Sequence, residues 1–189
     1  MVGRECPMKY HTLDLRSMIS LWDEKQIASL FSSFRCSLDP DTENFLKNSS
    51  VRHEKKGISR TYLVIQNDDS DIGYSLKGYF TLAIKCFSTN QDDQIPEWIL
   101  TQMNVNNKIA QAYLLGQLAK ADDAEKGLGR IMLDDIIKIF KGGYETFGCR
   151  TVRLDCKDEP KLVEYYETQG FISVGKNHDN ALNQMVVIM

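Results

Sequence analysis

The sequence predicts an α/β fold with a mixed sheet around one core. Two observations carry that class. Hydrophobic spacing switches between the 3.6-residue period of helices and the runs of β-branched and aromatic residues typical of strands. The elements then fall in a set order: helices, two antiparallel strands, and strand–helix–strand–helix–strand–strand. A length of 189 residues suits about one domain. With 42% hydrophobic and 26% charged residues, the composition is that of an ordinary globular protein.

Asp23 to Phe34 carries Ile27, Leu30, Phe31 and Phe34 at helical spacing, with Asp23 as N-cap. Asp39-Pro40-Asp41 opens a second helix, expected to run to Gly57 as C-cap. Thr61 to Ile65 reads as a strand. Asn67 to Asp71 reads as a turn, and Leu76 to Phe87 as a long second strand. Gln91 to Gln94 is a polar loop, and a short helix follows over Ile95–Leu100 with Pro96 near its first turn. Ala112 to Lys120 is a third strand, interrupted by Gly116. A helix carrying Leu128, Ile131, Met132, Ile136, Ile139 and Phe140 then ends at Gly142-Gly143 or at Gly148. Thr151–Cys156 is a strand, Asp158–Thr168 a helix closed by Gly170, and Phe171–Val174 and Met185–Ile188 the last strands.

Several function classes lose support. The formal net charge is −3, which gives no electrostatic reason to expect a nucleic-acid or anionic-membrane partner. No apolar run approaches a membrane span, and the first residues show no secretory signal. The five cysteines (Cys6, Cys36, Cys86, Cys149, Cys156) form no Cys-x-x-Cys pair, so reduced thiols in a cytoplasm are expected, with Cys149 and Cys156 read as buried. His11, His53 and His178 pair with nothing at metal-ligand spacing.

The chemically informative segment is a strand, a Gly127-Leu128-Gly129 turn and a helix. The first turn of such a helix leaves backbone N–H groups without partners, and its dipole favours an anion. Lys126 and Arg130 add charge, so a phosphate-bearing ligand is expected at Lys126–Arg130. The segment is neither a P-loop nor a dinucleotide fingerprint, because the Gly-Lys-Ser/Thr and the third glycine are missing. The basic cluster Arg52, Lys55, Lys56 and Arg60 reads as a solvated helix face, or as a contact for an anionic acceptor or a coenzyme phosphate.

Together, AYLLGQLAK, EKGLGRIMLDDIIKIF and TVRLDCKDEPKLVEYYETQGF resemble the core of the GNAT N-acetyltransferase superfamily. The resemblance runs from about Thr61 to Met189 and ends on Tyr166-Glu167-Thr168-Gln169-Gly170-Phe171. It implies a mostly antiparallel sheet with helices on both faces and a splayed central strand pair. It also implies one acetyltransferase domain over 1–189. That domain has an N-terminal strand and helices (1–57), antiparallel strands with an insert at 88–108 (58–121), and the coenzyme turn, helices and last strands (122–189).

The implied cosubstrate is acetyl-coenzyme A. The backbone of Leu118, Ala119 and Lys120 would pair with the pantetheine arm, and the amides of Glu125, Lys126, Gly127, Leu128, Gly129 and Arg130 would hold the pyrophosphate. Tyr166 would protonate the leaving thiolate, with Tyr165 as its competitor on the same helix. Ala124 departs from the family's Gln/Arg at the turn. Gln117 cannot serve as base, which leaves Asp122, Asp123, Asp155 or a water relay. The acceptor is expected to be an amine of a small molecule, a peptide or a protein; the missing base and Ala124 leave a non-catalytic coenzyme-binding or interaction module as an alternative. Leu114 to Ala119 and Gly78-Tyr79-Phe80-Thr81-Leu82 are also similar to a branch containing bacterial toxins that acetylate aminoacyl-tRNA. The apolar residues of the insert (Ile95, Trp98, Ile99, Leu100) are read as an acceptor-side lid or as a contact between two copies.

Overall fold

The computed structural model describes residues 10–67, 73–89, 95–103, 105–177 and 181–189. The expected turn at Asn67–Asp71 and loop at Gln91–Gln94 therefore lie mostly or wholly outside the described residues. The elements are β1 (His11–Asp14), α1 (Leu15–Leu21), α2 (Glu24–Ser32), α3 (Pro40–Asn48), α4 (Ser50–Lys56), β2 (Arg60–Asn67), β3 (Tyr74–Ser88), α5 (Glu97–Leu100), β4 (Val105–Asn106), β5 (Ile109–Lys120), α6 (Leu128–Phe147), β6 (Thr151–Cys156), α7 (Pro160–Thr168), β7 (Ile172–Lys176) and β8 (Asn183–Ile188). The strands form a mixed sheet in the order β1-β2-β3-β5-β6-β8-β7, with β4 paired to β5. The β1–β2, β4–β5, β6–β8 and β7–β8 pairs are antiparallel. The parallel pair β5–β6 is joined only from Tyr113↔Val152 to Leu115↔Leu154, and β5 runs on to Lys120. Among the described residues no helix is long and apolar enough to cross a membrane.

Contacts divide the chain into two compact units, Met1–Thr81 with Gln117–Leu133 and Leu82–Gly116 with Asp134–Met189. In the first, the Asp14 carboxylate accepts from the Ser17 amide at 2.8 Å and starts α1. Asp23 and Gln26 form a reciprocal capping box on α2. The helix expected over 39–57 is two helices, broken at Ser49 (φ −126°). Local side-chain bonds compete with helix continuation there, and the buried Ser50 hydroxyl donates back to the Leu46 carbonyl. Gly57, at φ 67°, closes α4 as expected. Leu15, Met18, Ile27, Leu30, Phe31, Phe34 and Leu46 share one buried cluster with Leu63, Ile65, Leu76, Tyr79, Ala119 and Ala121.

The second unit has its own cluster, with Phe87, Ile95, Ile99, Met103, Ala110, Ala112, Val174 and Val186. Pro96 is the N-cap of α5, next to its first turn as expected. Among the described residues of the insert, most of the expected apolar face is buried within the unit. Ile95 and Ile99 are buried in this cluster, Leu100 packs on it, and only Trp98 is largely exposed. β4, not expected from the sequence, joins β5 through Asn107 and Lys108, both left-handed, as a tight hairpin requires. α6 runs through Gly142-Gly143 and stops before Gly148 at φ 79°. The Tyr113 ring stacks on Phe140 at 5.0 Å and leaves no room at Gly143, where a Cβ would lie 2.9 Å from its hydroxyl. That hydroxyl donates to the Gly148 carbonyl at 2.8 Å. Of the two cysteines expected to be buried, Cys156 is and Cys149 is half-buried; Cys36 is buried, Cys86 exposed, and Cys6 lies outside the described residues.

Candidate active site

The turn expected to carry phosphate lies between β5 and α6, in the first unit. Gly127 adopts φ 93°, and a Cβ there would meet nothing within 4 Å. The carbonyl of Gly127 accepts from the Arg130 and Ile131 amides and starts the helix. Among the described residues, the amides of Lys126, Gly127 and Gly129 have no backbone acceptor. Lys126 and Arg130 are exposed, while Leu128 is buried and anchors the turn. The turn thus sets three amides without a backbone acceptor, and two exposed cations, at the start of a 20-residue helix, whose dipole favours negative charge there.

The segment just before the turn is held in place. The Ala121 amide donates to the Lys77 carbonyl at 2.8 Å, and the Asp122 amide to the Arg35 carbonyl at 2.9 Å. The Asp122 carboxylate accepts from the Ser37 amide at 2.9 Å and the Ser37 hydroxyl at 2.6 Å. Those two bonds hold its pKa below the ordinary carboxylate range. Asp123 pairs with Lys77 Nζ at 2.6 Å. Asp122 and Asp123, expected as solvated turn residues or bases, are thus exposed fasteners. Ala124 is half-buried and packs on the N-terminal cluster, which accounts for an apolar residue where the family has Gln or Arg. An 85-residue separation between Ser37 and Asp122 leaves no periodic or motif signal in the sequence.

Of the expected pantetheine residues, Ala119 is buried and Leu118 and Lys120 are half-buried at the end of β5. A Cβ on Gly78 of β3 would lie 3.1 Å from the Ala119 carbonyl oxygen and 2.7 Å from Met132 Sδ. The glycine of the Gly-Tyr-x-x-Leu pattern thus marks a close backbone approach. The following Tyr79 is fully buried, donates to the Thr42 carbonyl at 2.6 Å, and meets Phe34 edge-on.

In the second unit, α7 carries both candidate proton donors. Tyr166 is buried and Tyr165 half-buried, so the two neighbours take different environments, as helical geometry dictates. The Tyr166 ring meets Phe171 edge-on at 5.7 Å and Tyr165 at 5.3 Å. Burial, reinforced by Cys156 and Tyr165, raises its pKa above the tyrosine range, so the hydroxyl keeps its proton at neutral pH. Burial likewise pushes the Cys156 thiol up to about 11, which argues against a thiolate nucleophile. Asp155 is no free base: Arg153 grips it with two bonds of 2.9 and 2.7 Å, and Asn177 donates to it at 2.9 Å. Arg153 is itself buried and lies 5.0 Å over the Phe87 ring.

Strand order, helix order and the β5–turn–α6 unit define the class: the fold is that of the GNAT acetyltransferases. Among solved structures, the chain is similar to a Tyr→Phe variant of KacT at TM-score 0.71 and 19% identity, over 93% of this chain and 94% of that one. It is similar to AtaT complexed with acetyl-methionyl-tRNAfMet at TM-score 0.70 and 19% identity, over 92% and 93%. AtaTR bound with acetyl-CoA matches at TM-score 0.68 and 17% identity, over 95% and 93%. No family model and no curated protein matches the sequence.

Proposed function

We propose that this chain is an N-acetyltransferase that moves the acetyl group of acetyl-CoA onto a primary amine. The observation that carries it is the β5–turn–α6 segment. Its unpaired amides and left-handed Gly127 suit a pyrophosphate, in a fold shared with a protein solved with acetyl-CoA. The amides of Glu125, Lys126, Gly127 and Gly129 hold the pyrophosphate beside the Lys126 and Arg130 side chains, the Leu128 and Arg130 amides being bonded within the turn, and Leu118, Ala119 and Lys120 line the pantetheine arm. The neutral amine attacks the thioester carbonyl, the C–S bond breaks, and the amine's surplus proton leaves through water. Tyr166, kept protonated by burial, gives its proton to the coenzyme sulfur. An alkyl thiolate, with a conjugate pKa of about 8.5, is less basic than tyrosinate, so this transfer accompanies C–S cleavage and the tyrosine is refilled from solvent.

A second reading narrows the acceptor to the amino group of an aminoacyl-tRNA. It is supported by the Gly78–Leu82 and Leu114–Ala119 patterns, and by the likeness to AtaT solved with acetyl-methionyl-tRNAfMet. Calorimetry with acetyl-CoA on wild type and Gly129→Glu tests the common core. Wild type binds and the variant, with a carboxylate where the pyrophosphate lies, does not. Equal binding by both, or binding by neither, removes the coenzyme site from the turn. Thiol release against small amines, peptides and aminoacyl-tRNA then identifies the acceptor.

A further inference from the structure

An open groove of about 340 Å³ in the first unit is lined by Arg16, Ile19, Ser20, Glu54, Lys55, Lys56, Gly57 and Arg60. Four cations from three elements (Arg16 on α1, Lys55 and Lys56 on α4, Arg60 on β2) meet there around one carboxylate. That carboxylate, Glu54, is buried and already committed: it accepts from the Arg60 guanidinium and from the Thr61 amide at 2.8 Å. It therefore fixes Arg60, whose side chain remains 44% exposed. Lys55 has a loose partner in Glu24 at 3.4 Å, and both side chains are exposed, so that pair neutralises little. The lysines suit the C-terminal dipole of α4, but that dipole explains neither Arg16 nor Arg60. In a chain of net charge −3, so many cations in one groove repel one another unless an anion joins them.

We propose that this groove binds the phosphodiester backbone of an RNA acceptor. The inference rests on the acetyltransferase reading and deepens its aminoacyl-tRNA form. Spaced cations on separate elements match a chain of phosphates better than a single anion. Ile19 is the only large apolar side chain in the lining, so the groove reads the backbone rather than stacked bases or acyl chains. Arg60, pre-oriented by Glu54, supplies the rigid contact, while Arg16, Lys55 and Lys56 supply mobile charge. Glu54 is a positioning residue.

The test is binding of an uncharged tRNA transcript to the full chain at several salt concentrations. It compares wild type, the Arg16→Glu/Lys56→Glu double variant and the charge-preserving Arg16→Lys/Lys56→Arg variant. Each phosphate neutralised contributes about 0.7 to 0.9 to the slope of log K against log salt. The Glu variant therefore loses about 1.4 or more of slope and about tenfold or more of affinity at roughly 0.1 M salt. The charge-preserving variant keeps both. A companion measurement needs no variant: bound tRNA shields Lys55 and Lys56 of wild type from an amine-reactive reagent. Unchanged slope in the Glu variant, or no shielding, overturns the assignment. Acetyl-CoA titrations of the same samples separate the two readings. Coenzyme binding without tRNA binding overturns the groove and spares the turn. tRNA binding without coenzyme binding does the reverse. If the Glu variant loses coenzyme and keeps RNA, the groove holds a coenzyme phosphate and the RNA assignment falls.

Discussion

A methyl group at Gly78 would press on the Ala119 carbonyl oxygen at 3.1 Å and on Met132 Sδ at 2.7 Å. The sulfur can swing away, but the backbone oxygen cannot. Gly78→Ala should therefore destabilise the chain by about 1 to 3 kcal/mol in denaturant unfolding, whereas an exposed control such as Gly142→Ala should not. Tyr166→Phe separates packing from chemistry. The ring contacts with Phe171 and Tyr165 survive, so the melting temperature holds, and thiol release slows by about 10²-fold or more with acetyl-CoA affinity unchanged. A rate within twofold of wild type would move the proton donor elsewhere. At this scale the sequence was a good guide to which residues matter and a poor one to why. Gly78 and Tyr79 stood out as a pattern, but the Ala119 approach and the Thr42 bond are contacts between residues about 40 apart.

The β5–α6 turn is fastened at its near end, and the fastener titrates. Ser37 holds the Asp122 carboxyl below its ordinary value of 3.8, Lys47 does the same for Glu43, and Lys176 for Asp158. A folded pKa below the unfolded one contributes stability above the unfolded pKa, and that stability is lost as pH falls. Wild type should lose thermal stability between about pH 5 and pH 3, and Asp122→Asn should lose less over that range, measured by melting at fixed ionic strength. A parallel fall in both proteins would show that the Ser37 clamp carries no ionic component. Most elements were legible because their signals are local: the Asp23 capping box, the glycine after α4, and the apolar stripe of α6. The misreadings come from tertiary contacts that override local rules. Ser50 bonds back to Leu46, so one expected helix becomes two, while α6, packed on Tyr113 at Gly143, runs to the second of its two expected stops, Gly148. The apolar face of α5, expected to be free, is buried in the core of its own unit.

At the scale of the molecule, net charge and local charge point in opposite directions. A total of −3 argued against nucleic acid, yet four cations share one groove in the first unit, a gathering that composition averages away. The same unit ties the β5–α6 turn to the N-terminal helices, since Leu15, Leu30, Phe34 and Leu46 are buried in one cluster with Ala119 and Ala121. A chain beginning at residue 58 should therefore lose acetyl-CoA binding as well as helix content, by calorimetry and circular dichroism. Retained binding would show that the turn stands without those helices. The Ser37–Asp122 clamp also has a consequence in time. A ribosome delivers the first 81 residues of this unit well before it reaches residues 117–133. Until those emerge, the apolar faces of α1 to α4 lack the strand that completes their core. Emergence of the end of β5 and the turn into α6 from the exit tunnel is then the event that lets the N-terminal part of the chain finish folding.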